Sequence, residues 1–171
     1  MKLRSNNENG FSLIELLVVV AIIGILAAAG VVAYNGFMAN AKVSSTKANH
    51  TSIVKFLASN FTGCSTGNTA INWTSNSSGG KRAEACGNPT RNHVRHMQNH
   101  FRYENFNNPY ITANAAVVLR GGTPPDSASG YGYTYIQCGQ SGTIDRCIIT
   151  TRYGKRNGSD MGYTSSTVVK E

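Results

Sequence analysis

The chain has 171 residues, of which 16 are basic and 8 are acidic, and its formal net charge is +8. The acidic residues are few and scattered, and no paired carboxylates or Ser-His-Asp set indicates a catalytic site. We therefore expect neither an enzyme nor a bound cofactor or metal ion. The chain that follows an apolar N-terminal stretch is long enough for one small domain.

The apolar stretch runs from Leu16 to Tyr34 and contains 19 residues without a charge. About twenty apolar residues in a helix cross a bilayer core of about 30 Å, so this stretch predicts a membrane-spanning helix. Glu15 falls within the first turn of that helix. A carboxylate in hydrocarbon is costly unless it is paired or neutral, so Glu15 is a candidate functional residue that needs a partner. No Lys or Arg lies between Arg4 and Lys42.

The residues ahead of the apolar stretch, MKLRSNNENG, are short, polar and mildly basic. A secretory signal would have its cleavage site after the apolar stretch, whereas a glycine, Gly10, lies before it. The sequence Gly10-Phe11-Ser12-Leu13-Ile14-Glu15, followed by an unbroken apolar helix, resembles the type IV pilin family. The resemblance covers residues 1 to about 60.

The resemblance implies a processing step and an assembly mode. A prepilin peptidase would remove residues 1–10 by cutting after Gly10 and would N-methylate Phe11. Residues 11–34 would form the transmembrane and filament-core half-helix, and residues 35–171 the globular head. In the filament, the new amine of Phe11 would meet the Glu15 carboxylate of a neighbouring subunit. A buried charge is tolerated when it is paired, so this contact would also fix the axial stagger of the subunits.

The same resemblance implies an α+β fold, the type IV pilin fold, in which a long N-terminal helix packs on a C-terminal antiparallel sheet. The residues agree, because apolar positions from Val43 to Phe61 recur at helical spacing and extend the helix to about Asn60. Residues 62–112 read as a connecting loop that Trp73 anchors. A short helix from Thr90 to Glu104 interrupts the loop, with Thr90 as its N-cap.

Residues 113–171 predict an antiparallel sheet of short sequential strands. Ala113 to Leu119 is one strand, and the alternating tyrosines from Tyr131 to Tyr135 indicate a second. Residues 139–142 and 157–158 are read as turns. Further strands are expected at Ile144 to Tyr153 and Thr164 to Val169.

The four cysteines follow the membrane segment, and an even count on the exported side predicts two disulfides. Nearest-neighbour pairing joins Cys64 to Cys86 and Cys138 to Cys147, one of three possible connectivities. We expect the second pair to need a wide loop, because a tight turn at Gln140-Ser141 would place Cys138 opposite Thr143. No Cys-x-x-Cys spacing indicates zinc or redox chemistry.

A basic region runs through the connecting loop. His93, His96 and His100 share one helical face at a spacing that zinc could use, but neighbouring arginines oppose a cation, and we interpret this face as basic and solvated. Five basic residues form a candidate binding surface for DNA or another polyanion, although solubility alone would also explain them. These residues are Lys81, Arg82, Arg91, Arg95 and Arg102.

The sequence thus predicts a type IV pilin, and a major structural subunit in particular. It would be held in a bacterial inner membrane and then polymerised, through the pilus assembly platform, into a surface filament for adhesion, twitching motility or DNA uptake. One alternative is a pseudopilin of type II secretion or a minor competence pilin. Another is a signal-anchored periplasmic binding or enzyme domain, which would leave Glu15 without a partner.

Overall fold

The computed structural model describes residues 10–118, 122–125, 128–141, 144–156 and 160–170. It divides into two units, one that ends at Phe37 and one that begins at Met38. Helix α1, Leu13–Ser65, begins in the first unit and ends in the second. Every described side chain of the first unit is exposed. Among the described residues, α1 is the one helix whose length and composition would allow it to cross a membrane.

In the second unit, α1 buries one face, as its periodicity predicts. The buried residues recur every three or four positions, which is one side of a helix. They are Val43, Thr46, His50, Ile53, Leu57 and Phe61. The helix continues past the predicted end near Asn60 to Ser65. Its last turn is held by a disulfide from Cys64 to Cys86, which gives these residues a tertiary anchor that periodicity does not reveal.

The connecting region contains more regular structure than its sequence indicated. Strands β1, Ala70–Thr74, and β2, Lys81–Ala85, pair as an antiparallel hairpin, and helix α2, Thr90–Tyr103, follows. Trp73 is fully buried, which confirms it as the anchor of this region. The N-cap position is Pro89, so the prediction of Thr90 as the cap is wrong by one residue.

Thr90 instead connects α2 to the following sheet. Its backbone N–H donates to Asp145 Oδ2 at 2.7 Å, and its hydroxyl donates to Asp145 Oδ1. Lys170 Nζ lies 3.9 Å from the same carboxylate. Asp145 is therefore a buried charge with both a helix N-terminus and a cation close to it, which offsets the cost of its burial.

The second sheet has four strands in the order β3-β4-β5-β6: β3 Val117–Val118, β4 Thr134–Ser141, β5 Ile144–Arg156 and β6 Asp160–Lys170. The β4–β5 and β5–β6 pairs are antiparallel, whereas β3 pairs with β4 in parallel. The α+β class and the helix-on-sheet arrangement are confirmed. The exception is β3, which is much shorter than predicted and runs parallel to β4 instead of antiparallel. The strands are parallel because the long connection between them returns the chain to the same end of the sheet.

Strand boundaries differ from the predictions at two places. Strand β4 begins at Thr134, so the tyrosines at 131 and 133 precede it. Residues 139–141 were expected to turn but continue β4, where Ser141 pairs with Ile144. Residues 142–143, which connect these strands, and the predicted turn at 157–158 lie outside the described residues.

The two disulfides join nearest neighbours in sequence. Cys64 and Cys86 have Cα atoms 5.4 Å apart, and Cys138 and Cys147 have Cα atoms 4.0 Å apart. The second pair lies directly opposite across β4 and β5. No wide loop is needed, because both cysteines lie three residues from the Ser141–Ile144 pair at the end of the hairpin.

A chain of buried polar side chains joins α1 to the four-stranded sheet. His50 Nδ1 lies 2.8 Å from the Thr151 hydroxyl in β5, and His50 Nε2 lies 2.9 Å from the Ser166 hydroxyl in β6. The Thr151 hydroxyl in turn lies 2.7 Å from that of Thr134 in β4. These hydrogen bonds give each buried group a partner, as buried polar atoms require.

Three histidines are buried: His50, His93 and His100. Burial lowers the pKa of each imidazole below its usual value. A group with a lowered folded-state pKa takes up its proton more readily when the chain unfolds. The stability that these groups confer is complete above about pH 6.5, the unfolded-state pKa, and is lost as the pH falls toward the folded-state pKa values.

We therefore expect the second unit to lose stability as the pH falls below about 6.5. The loss should approach about 1.4 kcal/mol per pH unit for each histidine that is neutral when folded and protonated when unfolded. Thermal unfolding of the purified protein in detergent, followed by near-ultraviolet circular dichroism, measures this slope. The matched variant is His50→Gln, which should have a shallower slope. A melting temperature that is constant from pH 7.5 to pH 5 would contradict the expectation.

Candidate functional site

The N-terminus of α1 is closed by two side chains that bond reciprocally. Ser12 precedes the helix, and its backbone N–H and hydroxyl donate to Glu15 Oε2 at 2.9 and 2.8 Å. The Glu15 N–H donates back to the Ser12 hydroxyl at 3.3 Å. This arrangement is a capping box, which satisfies backbone donors at the start of a helix. Sequence reasoning missed it, although Ser-x-x-Glu before an apolar stretch is its signature.

The capping box leaves part of the Glu15 carboxylate available. Both local donors bond to Oε2, and Oε1 accepts no hydrogen bond among the described residues. The side chain is exposed on the helix surface. Glu15 can therefore hold the helix start and still accept a hydrogen bond or ion pair from another molecule.

The surroundings of Glu15 are apolar. It shares a shallow surface cleft of α1 with Phe11, Ile14, Val18 and Val19. Phe11 is 81% exposed, and Gly10 is exposed beside it and precedes the helix. An exposed apolar face of this size marks a surface that another molecule or a membrane covers. Covering it would enclose the carboxylate as well, so the covering partner must supply a positive charge or a donor.

The five basic residues of the predicted surface are all exposed. Lys81 and Arg82 lie in β2, and Arg91, Arg95 and Arg102 lie in α2. At about 100° per residue, the three arginines fall within about 40° of one another around the helix axis. Among the described residues, none of the five forms an ion pair.

The interpretation of the three α2 histidines as a solvated basic face is wrong. His93 is fully buried, with ring-centroid distances of 5.8 Å to Trp73 and 6.3 Å to Phe61. His100 stacks on Phe56 at 4.3 Å. His96 Nε2 lies 3.4 Å from a Glu84 carboxylate oxygen, so an acidic partner is present after all. In the part of the chain that the structure describes, no cluster of three His, Cys, Asp or Glu could hold a metal ion.

Comparison with known proteins reaches only the N-terminal segment. A family model described as the prokaryotic N-terminal methylation motif matches residues 5–31. A fimbrial protein of Moraxella nonliquefaciens is 56% identical over 39 residues, which is 23% of this chain and 25% of that protein. A type IV major fimbrial protein FimA of Dichelobacter nodosus is 60% identical over 37 residues, or 22% of this chain and 23% of that protein.

The chain thus aligns with about a quarter of the length of these relatives. No solved structure matches the chain. The matches agree with the residues that carry the resemblance noted in the sequence, namely the glycine, the phenylalanine and the glutamate before the apolar helix. The chain carries the prokaryotic N-terminal methylation motif, and in this segment it is similar to type IV fimbrial proteins.

Proposed function

We propose that this chain is a structural subunit of a type IV pilus. The observation that carries the proposal is the position of Glu15, a charged side chain on an exposed apolar helix face directly after Gly10-Phe11. In a plain membrane anchor the carboxylate would serve only to cap the helix, and a charge in hydrocarbon costs free energy. In a polymer, each subunit can present an amine to the carboxylate of its neighbour. That ion pair would offset the cost of burying the charge.

In this proposal, a prepilin peptidase cuts after Gly10 and methylates the amine of Phe11. The subunit waits in the inner membrane with residues 11–34 in the bilayer. The assembly platform then transfers it into a surface filament, where neighbouring apolar helices cover each other. The Phe11 amine of one subunit meets the free Oε1 of Glu15 in the next. Adhesion, twitching motility and DNA uptake are the roles such a filament would serve.

The first prediction concerns processing. We expect the mature protein to begin at Phe11 and to carry one methyl group on its amine, because peptidase and methyl transfer act on the same motif. Mass spectrometry of protein purified from its native cells measures both changes. Gly10→Ala is the matched variant and should remain unprocessed and unassembled. Retention of Met1 in the wild-type protein would contradict the prediction.

The second prediction separates the charge of Glu15 from its capping role. Glu15→Gln keeps the side-chain acceptor of the capping box but removes the charge, since glutamine also serves at this position. Ser12→Ala removes the partner hydroxyl and keeps the charge. We expect Glu15→Ala and Glu15→Gln to be processed normally but to lower filament incorporation by more than about tenfold, because an enclosed amine is left unpaired.

Ser12→Ala should assemble nearly as well as wild type. Quantitative electron microscopy of filaments on cells that carry a single variant measures incorporation. If Glu15→Gln assembles like wild type while Ser12→Ala fails, helix capping is the requirement and the intersubunit ion pair is refuted.

A second role is favoured by the basic surface of the filament. Arg91, Arg95 and Arg102 are exposed on one side of α2 and have no ion-pair partner among the described residues. Repetition along a filament would place many such sets on one polymer, which multiplies weak contacts. We infer that assembled filaments bind double-stranded DNA weakly and without sequence preference, through its phosphates.

The third prediction tests that role. Changing Arg91, Arg95 and Arg102 together to Gln should abolish most DNA retention on purified filaments at low salt. The log–log slope of affinity against salt should fall by about 0.9 for each arginine that contacts a phosphate. The matched control is the triple Lys variant, which keeps the charge and should retain DNA. Equal retention by wild type and the Gln variant would exclude this surface as the DNA site.

A further inference from the structure

A second surface feature lies on the other side of α2, where α1, the β1–β2 hairpin and α2 line a cavity of about 420 Å³ that is open to solvent. This volume lies within the range of small-molecule sites in proteins. Six of the side chains that line it offer apolar, charged or hydrogen-bonding contacts to a ligand: Phe56, Asn72, Lys81, His100, Glu104 and Phe106. These six side chains comprise two aromatic rings, one cation, one carboxylate and two neutral polar groups, so the cavity can orient a polar ligand against an apolar wall.

The hydrogen bonds of His100 fix its tautomer. The backbone N–H of Thr74 donates to His100 Nδ1 at 3.2 Å, so Nδ1 carries no hydrogen. Burial lowers the pKa of His100, which keeps the ring neutral near pH 7. A neutral ring that accepts at Nδ1 carries its hydrogen on Nε2. The Nε2–H has no acceptor among the described residues, so the cavity wall presents a fixed, uncharged donor.

Glu104 supplies a hydrogen-bond acceptor to the same cavity. Its Oε1 accepts a hydrogen bond from the Thr74 hydroxyl at 2.6 Å, which orients the carboxylate. The bond leaves Oε2 as a charged acceptor at the cavity. Asn72 is exposed, also lines the cavity, and adds an amide with both donor and acceptor atoms. A donor and an acceptor placed close together suit hydroxyl groups, because each hydroxyl both donates and accepts.

Lys81 supplies the charge selectivity. It is exposed at the rim of the cavity and, within the described ranges, forms no ion pair. A ligand with one negative charge can contact Lys81 while its uncharged part meets Glu104. The net positive charge of the chain favours the approach of an anionic ligand.

We propose that this cavity binds a sugar ring that carries a carboxylate, as in a uronic acid unit of an acidic polysaccharide. The sugar carboxylate pairs with Lys81, two ring hydroxyls bond to Glu104 and Asn72, and the Nε2–H of His100 donates to a hydroxyl oxygen. The apolar face of the ring lies against Phe56 and Phe106. The proposal concerns ligand binding by the second unit and does not depend on filament formation.

The test uses the full-length protein purified in non-ionic detergent, so it does not require assembly. Three probes are compared by saturation-transfer NMR and calorimetry: methyl β-glucuronide, methyl β-glucoside and acetate. We expect millimolar affinity for the glucuronide, affinity about tenfold weaker for the glucoside, which lacks the carboxylate, and no measurable binding of acetate.

Two variants assign the contacts. Lys81→Gln should abolish the preference for glucuronide over glucoside, and Glu104→Gln should weaken both sugars by several fold. Lys55→Gln is the matched control, since Lys55 is an exposed cation of α1 that does not line the cavity, and it should bind like wild type. Equal melting temperatures for all three variants show that the fold is retained. Undetectable glucuronide binding, an unchanged preference in Lys81→Gln, or acetate competing as well as the glucuronide would each overturn the proposal.

Discussion

The structure of the first unit depends on one constraint, the placement of a carboxylate in an apolar helix face. Glu15 has local donors from Ser12, but they bond to a single oxygen, and every neighbour along the surface is apolar. Whatever covers this helix must therefore satisfy the second oxygen. Hydrocarbon cannot do so, whereas the free N-terminal amine of a second copy of the chain could, as proposed above. The capping box has a separate benefit, because it orients the carboxylate before any partner arrives.

In the second unit, the C-terminal part of α1 must be held on a small sheet. Ile53, Leu57 and Phe61 of the helix share one apolar core with side chains from α2 and both sheets. Polar contacts determine how the helix is placed: His50 bonds to two strands, and Asp145 receives the N-terminus of α2. Apolar packing tolerates small shifts, whereas a hydrogen bond between buried groups does not, because a displaced group loses its partner.

Periodicity and local motifs predicted much of this fold. The buried stripe of α1 and helix α2 follow from the helical spacing of apolar residues, and strands β5 and β6 follow from strand-like segments between predicted turns. The hairpin of β1 and β2 was missed because Lys-Arg-Ala-Glu-Ala, which forms β2, has almost no buried side chain and no alternation. The parallel entry of β3 depends on the path of a long connection, which local sequence does not specify.

Helix α2 was predicted correctly, but the face that carries its histidines was wrongly assigned to solvent. At about 100° per residue, the histidines lie about 140–200° around the axis from Arg91, on the side opposite the arginines. The two sets alternate in sequence, and counting charges merged them into one basic face. Placing each residue on the helix wheel separates a buried side from a solvated one. The capping box of Ser12 and Glu15 could also have been predicted, from its Ser-x-x-Glu signature. The partner of Glu15 in an assembly belongs to another molecule, which one sequence does not show.

The hydroxyls around His50 have a consequence for how the second unit comes apart. Thr134, Thr151, His50 and Ser166 come from four different elements and form one continuous line of hydrogen bonds. A neutral imidazole donates from one nitrogen and accepts at the other, so the direction of every bond in the line is set together. Removing one member leaves its neighbours with the wrong polarity as well as a missing partner. The line therefore couples the unfolding of α1 to that of β4, β5 and β6, and the second unit should unfold cooperatively.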